Sequence, residues 1–524
     1  MTTRFASPPP VYVVDAAAAA ASDAAAIAGG IPSRALMQRA GAAAAAEIAR
    51  HHRRELASGV VIATGPGNNG GDGWVVAAAL HAVGVRVRVV ECEAARTPDA
   101  QAERDTALAA GVAATALVSD IAIGGERIAV DALLGTGFRA GTPLRGKIAD
   151  AVAELLFIAD RGGSVVALDV PTGLDATTGA HEGAPQCALT LTFGTVKRGT
   201  LVARERCGAI HALDIGLGLH ASAVKGDVLA TPEWFNAHLP PIPADAHKGT
   251  RKKVVVLGGA SGMAGAAMLA ARGALRSGAG MVKCVVAPDS VSAIQEGEPA
   301  ALAAAWPTDD ASFERTITQW ADVVLVGPGL GRDGAREMVE RLLGAWHGPV
   351  VLDADALNAF AGDADALAPM LGGRSSILTP HPTEFARLIG SDVDSVLADR
   401  FTLPSALAHR TTATVLLKGT PTVVAGRDSH AMIIAEGTPV LATGGSGDVL
   451  GGIVATLLAQ TSEPTTAAAL AAFAHGRAST SVSARQVRGY TLDDVLDALP
   501  AVWAPAMPHP RPPVLAQLPA VGEA

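Results

Sequence analysis

GPGNNGGDG, residues 65–73, follows directly on the apolar run VVIAT (Val60–Thr64). A glycine-dense turn after a short β-branched run is what a buried parallel strand uses to pass into a helix. Gly65, Gly67 and Gly70 satisfy the GxGxxG spacing of a dinucleotide loop. Glu91, closing the next apolar run, stands at about the spacing of a ribose-binding acid. Taken alone, the stretch reads as an NAD-dependent dehydrogenase. Asn68 and Asn69, however, place carboxamides where a pyrophosphate loop keeps bare backbone, and Asp72 adds a carboxylate that repels phosphate unless a cation intervenes. A plain turn, in which Asn and Asp tolerate left-handed backbone, is the bland alternative.

Around this loop, apolar runs alternate with helical stretches. Ala16 to Arg50 reads as two helices split at Gly29–Pro32, and VRVRVVE (85–91), RIAVD (127–131) and SVVALD (164–169) read as further buried strands. Hydrophobic residues make up 49% of the chain and aromatics 3%, so the cores must be built from Ala, Val, Leu and Gly, which suits helix-on-sheet layers. A second series, KVVVLGG, VKCVVA, DVVLVGPG, PVVLDAD, SILTPH and TVLLKG, begins after residue 250. At roughly 150 residues per domain, 524 residues hold two to four domains, and two large α/β domains are the expectation. The expected organisation is a Rossmann-like three-layer domain over 1–230, a proline-interrupted linker over 231–250, a second α/β domain over 251–504 and a Pro-rich disordered tail over 505–524.

A formal charge of -9 gives no electrostatic reason to expect nucleic acid or an anionic membrane as partner, and no window has the apolar length of a membrane span. Four scattered cysteines without CxxC spacing fit reduced buried thiols, and Pro8–Pro10, Asp15 and Asp23 break any signal-peptide h-region. A cytoplasmic protein with small-molecule ligands is expected, and homo-oligomeric assembly is expected with it.

Ligands of open parallel sheets bind beyond the carboxyl ends of the strands, so Asn69, Asp72, Asp131, Asp169 and Thr172 are expected in one crevice. Oxygen donors of this kind suit a hard cation, though each Asp alone serves equally as a turn or helix cap. The ordered set NNGGDG, DALLGTG, DVPTGLD and LTFGTVKRG resembles the NAD(P)H-hydrate epimerase family, also called the YjeF N-terminal domain, over about residues 10–220. That resemblance implies binding of hydrated NADH or NADPH and interconversion of its C6 epimers. It assigns the hydrate to Asn68, Asn69, Gly70, Gly71, Asp72, Gly135, Thr136, Gly137, Phe138, Arg139, Ala140, Gly141 and Asp169, and a potassium ion to Asn69, Asp131 and Thr172. Thr172 stands where some relatives carry Ser and keeps the hydroxyl.

In ATGGSGDVLGGIVATLLA (442–459), Leu450, Ile453, Val454, Leu457 and Leu458 form a helical stripe, so GGSG lies at a helix N-terminus that attracts phosphate. Asp448 is then either a helix cap or a general base beside a transferring phosphoryl group. Lys418, in LLKGT, is either a nucleotide-phosphate ligand or a solvated strand end. The order HKG, GGASGMAGA, GPGLG, DADALN, LTPHPTEF, LKGT and TGGSGD resembles the NAD(P)H-hydrate dehydratases of ribokinase-like fold over about residues 247–485. The resemblance implies ADP as co-substrate with magnesium, Asp448 as base, Lys418, Gly419, Thr420, Pro421, Thr422 and Gly447 at the nucleotide, and Ala266, Gly329 and His381 at the hydrate.

Together the resemblances imply metabolite repair: epimerisation feeds a dehydratase restricted to the S form, which ADP drives back to NADH or NADPH with release of AMP and phosphate. The rivals are a ribokinase-like small-molecule kinase fused to a non-catalytic nucleotide-binding module, such as relatives of the first fold in RNA-decapping scaffolds suggest, and a plain NAD-dependent oxidoreductase.

Overall fold

Val60–Thr64 is a strand buried along its whole length near the middle of an eight-stranded sheet. The order is Val514–Leu518, Ala209–Leu213, Leu189–Phe193, Ser164–Leu168, Ile128–Ala132, Val60–Thr64, Val87–Glu91, Ala113–Ala116. All neighbours are parallel except the first pair. Both faces are covered, as the unbroken apolar runs require. Val60 and Ile62 pack with Leu36, Ala44 and Ile48 of helix Ser33–His51, whereas Val61 and Ala63 pack with Ala151, Val152 and Leu155 of helix Gly146–Asp160. The chain runs outward from Val60–Thr64 to Ala113–Ala116 and then returns to its other side at Ile128–Ala132. That reversal opens a crevice above Gly65 and Leu133.

This computed structural model describes residues 9–116, 121–218, 220–221, 226–427, 429–483, 488–504 and 511–521. The chain divides into two units near residue 227, and the C-terminal stretch rejoins the first. In the second unit the switch strand is Lys253–Leu257, flanked in parallel by Met281–Val286 and Val323–Val326. Leu302–Ala305 extends one side; Val350–Leu352, Ser376–Leu378 and Thr414–Leu417 extend the other, before the antiparallel Thr422–Ala425 and Met432–Ile434. Helix Ala264–Arg276 lies so close to helix Ser446–Thr461 that a Cβ on Gly452 would sit 1.9 Å from the Ala270 carbonyl oxygen. Among aliphatic and small residues, glycine alone permits that approach.

Two boundary expectations change. Within the expected linker, Pro232–His238 is a helix capped by Thr231, and Phe235 stacks on Phe473 at 4.8 Å, so this segment is part of the second unit's core. In the expected disordered tail, Val514–Leu518 is a strand paired with Ala209–Leu213, with Val514, Ala516 and Leu518 buried. Its alternation of apolar and outward residues buries one face, which a Pro-rich composition obscured. Residues 505–510 and 522–524 of that tail lie outside the described residues.

Candidate functional site

The crevice of the first unit is a cavity of about 530 Å³, a volume typical of ligand pockets. Its lining brings together Asn68, Asn69, Asp72, Gly135, Thr136, Gly137, Phe138 and Asp169. Helix Asn68–Ala82 begins at the loop with Gly67 as cap and no capping side chain, so its first N–H groups stay available to a ligand. Gly70 and Gly71 instead serve packing: a Cβ on Gly70 would lie 2.0 Å from the Gly65 oxygen, and one on Gly71 2.6 Å from Met37. Arg139 folds onto the Thr136 and Phe138 carbonyls, Ala140 donates to Asp175, and Gly141 turns the loop with φ +81°. These three do not line the cavity. Glu91, which a dehydrogenase reading places at the ribose, is paired with Arg104 at 2.7 Å.

The carboxylates are electrostatically linked. Burial, with Asp169 and Asp23 nearby, drives Asp72 well above its ordinary range. Asp169 sits in left-handed backbone (φ 63°) and is ion-paired with the buried Lys197, whose ammonium also donates to Thr192 Oγ1 and the Phe193 carbonyl at 3.1 Å. Non-glycine residues held in that region are often found at functional sites. Lys197 was not singled out by sequence, although it stands within LTFGTVKRG; the parallel pairing of Val196–Lys197 with Tyr12–Val14 positions it. Asp23 and Met37, from the first two helices, are further lining residues without a motif signal.

Asp131 and Thr172 lie behind the cavity wall and meet each other there. Thr172 donates from its backbone at 2.8 Å and its hydroxyl at 2.7 Å to Asp131, and burial raises the Asp131 pKa against those hydrogen bonds. Asn69 buries both carboxamide atoms without a hydrogen-bond partner, an arrangement that a hard cation or a polar ligand would satisfy.

In the second unit, Lys418 ends strand Thr414–Leu417 and donates to Asp353 at 2.9 Å, with Glu384 Oε2 at 3.7 Å. Asp353 follows strand Val350–Leu352 and precedes Ala354, a non-glycine residue at φ 48°. Asp448 lies in the first turn of helix Ser446–Thr461, whose cap is Gly445 and which has no side-chain cap hydrogen bond. The capping reading of Asp448 therefore fails. Burial drives its pKa up and Asp353 adds to the rise, while Lys418 pulls it back, leaving it at about 7.

Gly447 faces the same cation: a Cβ there would lie 3.2 Å from Lys418 Nζ. Across Gly419–Thr422, the Thr422 hydroxyl donates to the Gly419 carbonyl at 2.9 Å, and Arg400 holds the Thr420 carbonyl at 2.6 Å. Pro421 turns this loop back into the next strand. Ala266 and Gly329 adjoin, since a Cβ on Gly329 would lie 3.0 Å from that of Ala266. His381 caps helix Pro382–Ile389: its Nδ1 accepts from Thr383 and Glu384, while the Glu384 carboxylate accepts from the His381 backbone. Burial, then the Lys418 charge, hold its pKa below the ordinary range. The imidazole thus has a structural task in addition to any ligand contact. Asp353, Glu384 and Arg400 complete a cluster that sequence reading had only partly named.

A family model described as NAD(P)H-hydrate dehydratase matches residues 254–501, and one described as YjeF-related protein N-terminus matches residues 33–199. The chain is 37% identical over 474 residues to the bifunctional NAD(P)H-hydrate repair enzyme of Moorella thermoacetica, spanning 84% of this chain and 87% of that protein. The chain belongs to this family of bifunctional repair enzymes. Its Escherichia coli relative of the same description is 33% identical over 455 residues, 85% of each chain. A solved ADP/ATP-dependent NAD(P)H-hydrate dehydratase from Bacillus subtilis, co-crystallised with ATP and Mg2+, is 29% identical and covers 52% of this chain and 96% of its own, with a TM-score of 0.45. Membership in the repair family favours neither the isolated kinase nor the oxidoreductase. The α/β class is the expected one: two units, each built on a largely parallel sheet, the first matched by the YjeF-related model and the second by the dehydratase model. Among the described residues no helix is long and apolar enough to cross a membrane.

Proposed function

We propose that the first unit interconverts the R and S C6 epimers of hydrated NADH and NADPH, and that the second dehydrates the S form with ADP. The observation that carries the second activity is Asp448, uncapped at a glycine-rich helix start with a pKa of about 7, beside the Lys418–Asp353 pair. Asp448 takes the proton of the C6 hydroxyl as that oxygen attacks the β-phosphorus of ADP, and AMP leaves. The C6–O bond then breaks, phosphate departs with the oxygen, and a proton leaves C5 to restore the dihydronicotinamide. Lys418 and the N–H groups around Gly447 hold the charge that builds on the phosphoryl oxygens. Asp353 and Glu384 are the carboxylates that would face a magnesium ion carried by the nucleotide, which would supply further neutralisation of that charge.

In the first unit, the Asp169–Lys197 ion pair in the cavity lining supports a role for these two groups in removing and returning the C6 hydroxyl proton while the ring opens and recloses. Potassium fits the oxygen donors of Asn69, Asp131 and Thr172, the Asn69 carboxamide being unpartnered and the carboxylate having lone pairs left. A homo-oligomer in the cytoplasm is the setting we propose for both halves.

The test is to mix hydrated NADH containing both epimers with the protein, ADP and magnesium, and to follow recovery of dihydronicotinamide absorbance. Full recovery faster than spontaneous epimerisation, lost in Asp448→Ala, supports both activities. Recovery of the S fraction alone removes the epimerase, and no recovery by the wild type removes both.

A further inference from the structure

Arg332, Asp355, Asn358 and Arg387 line a cavity of about 390 Å³ in the second unit, walled otherwise by alanines. Each belongs to a segment that also supplies the candidate site: Arg332 follows Gly329, Asp355 and Asn358 follow Asp353, and Arg387 lies in the last turn of the helix that His381 caps. At about 1.5 Å of rise per residue, Arg387 stands roughly 9 Å along that helix from His381. The two arginines have no carboxylate partner among the described residues. By contrast, the half-buried Arg336 and Arg341 and the exposed Arg410 are each tied to carboxylates, at 2.8, 3.0 and 2.9 Å. Arg387 reaches only the neutral Asn358 Oδ1 at 3.3 Å, and Arg332 has no side-chain hydrogen bond or ion pair among the described residues. Asp355, the acid of the cavity, spends one oxygen on the Gly331 N–H at 2.9 Å. The lining therefore carries a net positive charge and guanidinium forks that lack a carboxylate partner. That chemistry selects a phosphate group, which a planar guanidinium binds through paired hydrogen bonds.

We propose that Arg332 and Arg387 form a phosphate subsite that anchors the dinucleotide hydrate during dehydration, through either its diphosphate or its 2′-phosphate. The subsite deepens the dehydratase reading above and rests on it. Anchoring a part of the substrate remote from C6 holds the hydroxyl at Asp448 and leaves the nucleotide end at Lys418 untouched.

The experiment measures dehydratase KM and kcat for the S hydrates of NADH and of NADPH, and KM for ADP, in full-length wild type, Arg332→Ala and Arg387→Ala. We expect hydrate KM to rise about ten- to a hundredfold, the range of a lost charge-assisted hydrogen bond, with kcat within about twofold and KM for ADP unchanged. A rise for the NADPH hydrate alone assigns the 2′-phosphate, and an equal rise for both assigns the diphosphate. Unchanged hydrate KM in both variants, with wild-type dehydration intact, overturns the subsite alone. An equal rise in KM for ADP also overturns it, by placing the arginines at the nucleotide. A wild type that dehydrates neither hydrate removes the underlying reading, and the subsite with it.

Discussion

Lys418 donates to Asp353 at 2.9 Å, so the cation nearest Asp448 is already shared with a carboxylate before any nucleotide arrives. Burial raises Asp448, Asp353 raises it further, and Lys418 offsets part of the rise; the balance leaves the group half-ionised near pH 7. A general base works only when ionised, and kcat/KM reports the free enzyme. Dehydratase kcat/KM should therefore climb between pH 6 and 8 with an apparent pKa of about 7. Lys418→Met removes a charge that lowers the Asp448 pKa, so its midpoint moves to higher pH, whereas Lys418→Arg keeps it. The same Met variant leaves Asp353 buried without its cation, a loss of about 3 kcal/mol in stability, so the comparison is run below its melting temperature.

The first unit offers a prediction about cations. Asn69 has an open buried carboxamide, and Asp131 is bound to Thr172 at 2.7 Å just behind the cavity wall. If potassium completes this donor set, epimerisation rates and the melting temperature should both rise with potassium at constant ionic strength, and choline should not substitute. Asn69→Ala and Asp131→Asn should flatten both responses. A melting temperature indifferent to potassium in the wild type counts against the assignment without reference to turnover.

How much of this was legible in the chain depends on distance along it. The strand-turn units at Gly65 and Gly258 were legible because apolar runs and glycine turns are local signals, whereas the strand order that makes each a switch point was not. Asp448 and Lys418 were legible for the same reason, each standing at the end of its own motif. Lys197 was not, although its motif was noticed, since its role appears only when Val196–Lys197 pairs with Tyr12–Val14 and swings the ammonium onto Asp169. His381 shows the opposite limit: its motif suggested a ligand, and the fold adds that the ring caps a helix. Arg332 and Arg387 carried no motif at all, and only the cavity joins them.

Acid stability should report another long-range set. Glu47 accepts from His211 at 2.9 Å and from Arg50 at 2.7 Å. Burial pushes this carboxyl up, but those hydrogen bonds outweigh it and hold the group down at about 2, below its ordinary value. A carboxylate depressed by folding stabilises the fold above its unfolded pKa, and that contribution is lost as pH falls from about 5 towards 2. Glu47→Gln should lower stability at pH 7 and make the acid limb of the melting curve shallower over that window. An unchanged acid limb in thermal unfolding from pH 7 to 2 would show that the carboxylate is not depressed.

The C-terminal strand gives the sharpest test of a corrected expectation. Val514–Leu518 pairs antiparallel with Ala209–Leu213, Asp214 donates to the Pro513 carbonyl at 2.7 Å, and Arg204 donates to the Pro519 carbonyl. Val514 and Leu518 are buried to 7% and 4% exposure, each contributing about 1.5–3 kcal/mol relative to an exposed side chain. A chain ending at residue 507 loses these and leaves Ala209–Leu213, which carries His211, as a bare sheet edge prone to pairing with other chains. The truncated protein should melt several degrees lower in the unit that carries the epimerase site and should aggregate on heating. Dehydratase turnover should persist, because the missing strand belongs to the first unit. In the full-length protein the amides of Ala516 and Leu518 should exchange slowly with deuterium; rapid exchange at both, with an unaltered melting curve on truncation, would restore the reading of a disordered tail.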